Sequence, residues 1–222
     1  MYDLSGVLDT DAVSAVRPGT SLLVAGPAMT GKENIAMQIL ADGSRNGDGA
    51  LIVSTGDSAE TVVEDYRDRV SGVSNLQLGV VDCRAESSGS GFADGETPPG
   101  LYVHKVSSPG DLTGIGIGIT KCLESLHKAG AERGRMALVS LSTMLTYTNR
   151  ETVFKFCHVL SSRLDAADYV GVFTIDTGAH DDQTIQVIKQ AFDGMIEVRE
   201  ADDGREVRVM GLGDGPTPWQ AL

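Results

Sequence analysis

An apolar run, Ser21-Leu22-Leu23-Val24-Ala25, leads directly into Gly26-Pro27-Ala28-Met29-Thr30-Gly31-Lys32-Glu33, and a helix-like stretch from Asn34 to Leu40 follows at once. Two glycines, the second followed by lysine, satisfy the pattern G-x-x-x-x-G-K of a phosphate-binding loop in all but its last residue. The pattern is chemically meaningful only between a buried strand and a helix. There, backbone N–H groups of the turn and of the helix N-terminus converge on anionic oxygens. Gly26 and Gly31 let the chain turn without a clashing Cβ, and Lys32 sets a charge against the outer phosphates. The departure is Glu33. A Ser or Thr hydroxyl ordinarily stands there and ligates magnesium; a carboxylate could still meet a metal, but it also repels phosphate. The bland alternative is a glycine turn joining a strand to a helix, with no ligand.

The rest of the chain fits the α/β architecture that such a loop demands. Strand-like runs alternate with helical ones, which favours a parallel sheet with crossover helices. Ala50 to Ser54 reads as a strand introduced by the turn Asn46-Gly47-Asp48-Gly49. Asp57 or Ser58 caps a helix through Val62, Val63 and Tyr66, and Gln77 to Asp82 is a further strand. Residues 84–100 are Gly, Ser, Pro and acidic and predict a mobile surface loop, with a strand resuming at Leu101 to Val106. Gly114-Ile115-Gly116-Ile117-Gly118-Ile119 could be a second phosphate nest. No GK follows, so the expectation is a helix capped near Ser108 or Asp111 whose glycines permit close packing. Strands at 135–141 and 169–175 and helices at 151–165 and 184–191 complete the alternation. Period-two stretches at 194–200 and 205–210, around Asp202-Asp203-Gly204, predict a closing hairpin. One domain is expected over residues 1–222, with a tail at 213–222 whose Trp219 either packs on its own domain or docks on a neighbour.

Composition excludes several classes of function. Lys and Arg number 18 against 31 Asp and Glu, a formal charge of −13. Such a surface repels a nucleic-acid backbone, which asks for a basic footprint. It suits a cytoplasm of high salt, where screening removes most self-repulsion, and so resembles halophile composition. No apolar run approaches the length of a membrane span, and Met1 to Ser5 lacks a signal-peptide pattern, so a cytoplasmic location is expected. Cys83, Cys122 and Cys157 form no CxxC pair, and the four histidines form no HExxH. No metal site of the protein's own is expected.

The loop at Gly26 to Lys32, the strand end Ser54-Thr55-Gly56-Asp57-Ser58, the pattern Val139-Ser140-Leu141-Ser142-Thr143-Met144-Leu145 and the closing hairpin together resemble the RecA-superfamily ATPases. Within that superfamily they are most similar to the single-domain KaiC-like proteins of archaea, over nearly the whole length. The resemblance implies a RecA-like core that binds ATP or ADP between subunits of a ring or filament. It also implies three chemical positions, and the chain departs at each. Glu33 replaces the hydroxyl. Gly56 and Asp57 stand where paired glutamates polarise the attacking water, leaving Asp57 as a short-stemmed candidate base. Val139 stands where an aspartate organises magnesium. Asp176 and Thr177 are either contacts to a phosphate or a solvated strand end. Three functions remain open on these residues: a regulatory nucleotide-binding protein with weak or absent hydrolysis acting through protein contacts; an ATPase in which Glu33 and Asp57 rebuild the metal and base functions; and a scaffold that no longer binds nucleotide. DNA recombination is disfavoured by charge.

Overall fold

The computed structural model describes residues 1–222 except 9–13, 85–91, 93, 97 and 203. In chain order the elements begin with β1 (Tyr2–Asp3) and β2 (Ala15–Val16), a small antiparallel pair. Then come β3 (Ser21–Gly26), α1 (Lys32–Arg45), β4 (Gly49–Ser54), α2 (Ala59–Arg69), β5 (Leu78–Asp82), β6 (Gly95–Glu96) and β7 (Leu101–Lys105). The second half holds α3 (Leu112–Lys128), β8 (Gly134–Val139), α4 (Leu141–Tyr147), α5 (Arg150–Ala166), β9 (Val170–Asp176), α6 (Asp182–Ile188) with a 3-10 turn at Lys189–Ala191, β10 (Gly194–Ala201), β11 (Gly204–Met210) and β12 (Gln220–Ala221).

One ten-stranded sheet runs in the order β12-β11-β10-β3-β9-β8-β4-β5-β7-β6. From β10 across to β7 every pairing is parallel. Antiparallel pairings appear only outside that block, where β11 folds back on β10, β12 adds to β11, and β6 adds to β7. The parallel strands are mostly apolar because both faces are covered, with buried His104 of β7, Arg135 of β8 and Thr174 of β9 among the polar exceptions. Successive residues of β3 show the division: Leu22 and Val24 pack with Ile35 and Ile39 of α1 and Tyr66 of α2, while Leu23 and Ala25 pack with the core under α3, α4 and α5. Among the described residues, no helix is long and apolar enough to cross a membrane.

The glycine-rich segment of α3 is helical, capped by Asp111, whose side chain accepts from the Gly114 N–H. Only part of the packing expectation holds. A Cβ on Gly118 would drive into the His104 ring and Val81, whereas one on Gly116 would meet nothing. In the segment expected to be a surface loop, Phe92 is half-buried against the core, its N–H bonded to Glu60 Oε1 (2.6 Å), and Gly95–Glu96 pair with β7. The remainder of that expectation, at 85–91, 93 and 97, falls outside the described residues. Trp219 packs on its own hairpin, beneath the guanidinium groups of Arg199 (4.0 Å) and Arg208 (4.6 Å). At the amino ends of the central strands, opposite the glycine loop, buried Arg135 of β8 ties the chain together. Its guanidinium donates to Asp48 (3.0 Å) and to the carbonyls of Ile39 and Asp3.

Candidate functional site

The carboxyl ends of the parallel strands collect the residues singled out by sequence. β3 is buried along its whole length and ends at Gly26, where a Cβ would lie 2.8 Å from the Val198 carbonyl and 2.9 Å from Thr30 Oγ1. Only glycine allows the loop to leave the sheet so close to β10. Pro27, Ala28 and Met29 are exposed, with Met29 at φ 64 and 88% exposed. Thr30 is buried, and its hydroxyl donates to the Pro27 carbonyl (2.8 Å), closing the loop on itself. Gly31 takes φ 82 and opens α1.

How the helices begin sets this loop apart. Ser58, Asp111, Ser140, Asn149 and Asp181 each cap their helix with a side-chain acceptor. Gly31 gives α1 no side-chain cap. The first turn of a helix carries N–H groups without intrahelical partners, together with the positive end of the helix dipole. Here the sequence supplies backbone alone to meet an acceptor. Lys32 stands beside them, only 2% exposed, its Nζ donating to the Pro27 carbonyl (3.0 Å) and paired with Glu33 Oε1 (3.3 Å).

Neighbouring strand ends frame the loop. Asp176 of β9 pairs in register with Gly26, and the Thr177 N–H donates to the Gly26 carbonyl (3.0 Å). The Asp176 N–H donates to Ser142 Oγ (2.8 Å), which also meets His180 Nε2 (2.9 Å); the Asp176 carboxylate accepts from the Gly178 N–H (2.8 Å). Thus Asp176 and Thr177 stand next to the loop, the Thr177 N–H holding Gly26 and the Asp176 N–H holding Ser142. Further along, Thr55 Oγ1 donates to the Val139 carbonyl (3.0 Å) and accepts from the Ser140 N–H (2.8 Å), binding β4 to β8. Ser54 Oγ and the Asp57 backbone bond each other. The Asp57 carboxylate is exposed and makes no hydrogen bond or ion pair with the described residues. β9 and β8 separate its strand from β3, so at about 4.8 Å per strand it belongs to a turn roughly 14 Å across the sheet.

The donor set for magnesium does not fit. Glu33 is engaged by Lys32, the end of β8 offers Val139, and the buried Asp82 carboxylate is taken up by the N–H groups of Ala59 and Arg84. Among the described residues no group of three or more His, Cys, Asp or Glu could hold a metal ion. The donors that do converge suit a phosphate: open backbone amides, a buried lysine and a second cation not singled out by sequence. That cation is Arg205 of β11, whose Nη1 lies 2.7 Å from where a Cβ on Gly31 would be. Nothing local to 204–210 signals it, because the contact depends on β10 lying parallel beside β3. A cleft of about 800 Å³ lies elsewhere, lined by Arg17–Thr20, Asp165 and Phe192 and by no residue of the loop.

A profile of the family of unknown function DUF7504 matches residues 19–198. Among solved structures the chain is similar to a KaiC-like protein from the hyperthermophilic archaeon Pyrococcus horikoshii OT3, with a TM-score of 0.61 at 14% identity, over 98% of this chain and 89% of that one. At such identity the likeness establishes a RecA-like fold and nothing finer. No curated protein matches the sequence.

Proposed function

The chain belongs to DUF7504, a family of unknown function, and we propose that it binds ATP or ADP through the loop Gly26 to Glu33 and acts as a regulatory or signalling component. The observation that carries this reading is the uncapped start of α1 at Gly31 beside the buried ammonium of Lys32. Gly26, Thr30 and Gly31 shape the backbone cradle, Lys32 supplies charge, and Pro27, Ala28 and Met29 form its exposed rim. Hydrolysis is weak or absent. Phosphoryl transfer depends on charge neutralisation and a positioned base, and loss of one preorganised electrostatic group costs about 3 kcal/mol, two to three decades in rate. Both metal-side groups are replaced, by Glu33 and Val139, and the candidate base Asp57 is solvent-facing.

Output therefore runs through protein contacts, with other proteins or further copies of the chain; the net charge of −13 weighs against DNA. The acidic composition is in keeping with a halophilic archaeal cytoplasm. Calorimetric titration with ATP and ADP in concentrated KCl, with and without magnesium, tests the reading. Binding that barely depends on magnesium and disappears in Lys32→Ala is the expected result. Strong magnesium dependence with phosphate release lost in Asp57→Asn would instead favour a working ATPase. No binding under either condition would leave a scaffold.

A further inference from the structure

Resting on the nucleotide reading above, we propose that Arg205 is a phosphate-binding residue of the same site, contributed by the closing hairpin of the same chain. The fold puts it there. β10 runs parallel to β3 with Glu197 beside Ala25, and continues past the end of β3 to Glu200, which pairs with Arg205 on the returning β11. The hairpin therefore overhangs the loop. Arg205 Nη1 stands 2.7 Å, and its central guanidinium carbon 3.5 Å, from the position a Cβ would occupy on Gly31. Glycine at 31 suits its positive φ and also leaves the guanidinium room above the loop.

Charge gives the contact its purpose. Lys32, the cation that the loop motif supplies, is already paired with Glu33 and bonded to the Pro27 carbonyl. Lys32 and Glu33 together bring no net charge to the phosphates. Arg205 restores a full positive charge over the open amides of α1. Its neighbours on the hairpin are committed otherwise: Arg199 is paired with Glu206 (2.7 Å), Arg208 with Glu197 (2.5 Å), and both stack on Trp219. The Arg205 side chain has no hydrogen-bonding or ionic partner among the described residues, in a chain where carboxylates outnumber cations 31 to 18. A planar guanidinium also offers two parallel N–H donors to adjacent phosphate oxygens, which an ammonium cannot.

The test compares wild type, Arg205→Gln and Arg205→Lys in magnesium-free calorimetric titrations with ADP and ATP, alongside thermal unfolding without ligand. Loss of a charge-assisted contact predicts about 10- to 100-fold weaker binding of both nucleotides in Arg205→Gln. Arg205→Lys should recover part of the loss. The unfolding midpoint of both variants should match wild type, because the side chain is exposed and supports nothing. Unchanged affinity in Arg205→Gln would overturn the assignment while leaving the loop reading standing. Tighter binding would overturn it too, showing that the guanidinium merely covers the loop. If wild type binds neither nucleotide, the loop reading fails and this assignment fails with it.

Discussion

Glu33→Gln removes one negative charge from the first turn of α1 while keeping the side chain's length, so it isolates what the departure from the loop motif does. Two effects oppose each other and appear in different measurements. In the free protein the carboxylate is helpful: it complements the helix dipole by about 0.3–1 kcal/mol and pairs with Lys32 at 3.3 Å. A pair with one side 42% exposed adds at most about 1 kcal/mol. For a chain of this size that sum lowers the unfolding midpoint by a few degrees, at roughly 2–4 °C per kcal/mol. Toward a phosphate the same carboxylate is harmful. Two like charges about 5 Å apart at an effective dielectric near 20 repel by about 3 kcal/mol. Halving this for the carboxylate's exposure leaves about 1.5 kcal/mol, or roughly tenfold in affinity. Glu33→Gln should therefore be slightly less stable and bind ADP about ten times more tightly at low ionic strength. The gain should shrink as salt shortens the screening length to about 3 Å at molar concentration. Fluorescence or calorimetric titration at two salt concentrations reads both parts. Affinity that is unchanged or reduced in Glu33→Gln would refute the claim that this side chain faces the phosphates.

Two substitutions in α3 should move stability in opposite directions in urea unfolding. Gly116→Ala, into open space, gains up to about 1 kcal/mol from helix propensity, while Gly118→Ala, against His104 and Val81, loses about 1–3 kcal/mol to overpacking. Asp48→Asn leaves the buried Arg135 guanidinium without its anion and should cost about 3–5 kcal/mol in the same assay. Burial pushes the thiols of Cys83 and Cys157 up from 9.0 to about 12 and that of Cys122 higher still, so a thiol reagent at pH 8 should label none of them until denaturant is added. Because the folded chain holds those protons more tightly than the unfolded one, their stabilising share is full below pH 9 and lost as pH rises towards 12; a midpoint that stays flat across that range would contradict it.

What could be read in the sequence is what local chemistry fixes. The loop is legible because a backbone cradle needs glycine at 26 and 31, and the parallel strands are legible because burial on both faces forces mostly apolar runs. The hairpin of β10 and β11 shows in its alternation and in Asp202-Asp203-Gly204. Its position beside β3 does not, since nothing in residues 194–210 names the strand they will join, and so Arg205 is invisible at the sequence level. The same holds for β6, two residues in a polar segment, and for Arg135 with Asp48, whose partnership spans 87 positions. This division bears on chemistry as well as on legibility. The cradle at Gly26 to Lys32 is made of backbone, and the register of β3 against β9 and β10 holds it in place through buried Leu22, Leu23 and Val24. Hydrolytic chemistry instead depends on single side chains at strand ends, such as position 139, where Val139 is half-buried against the core. On the proposed reading, such a fold loses turnover through single side chains, while the phosphate cradle stays tied to the integrity of the core.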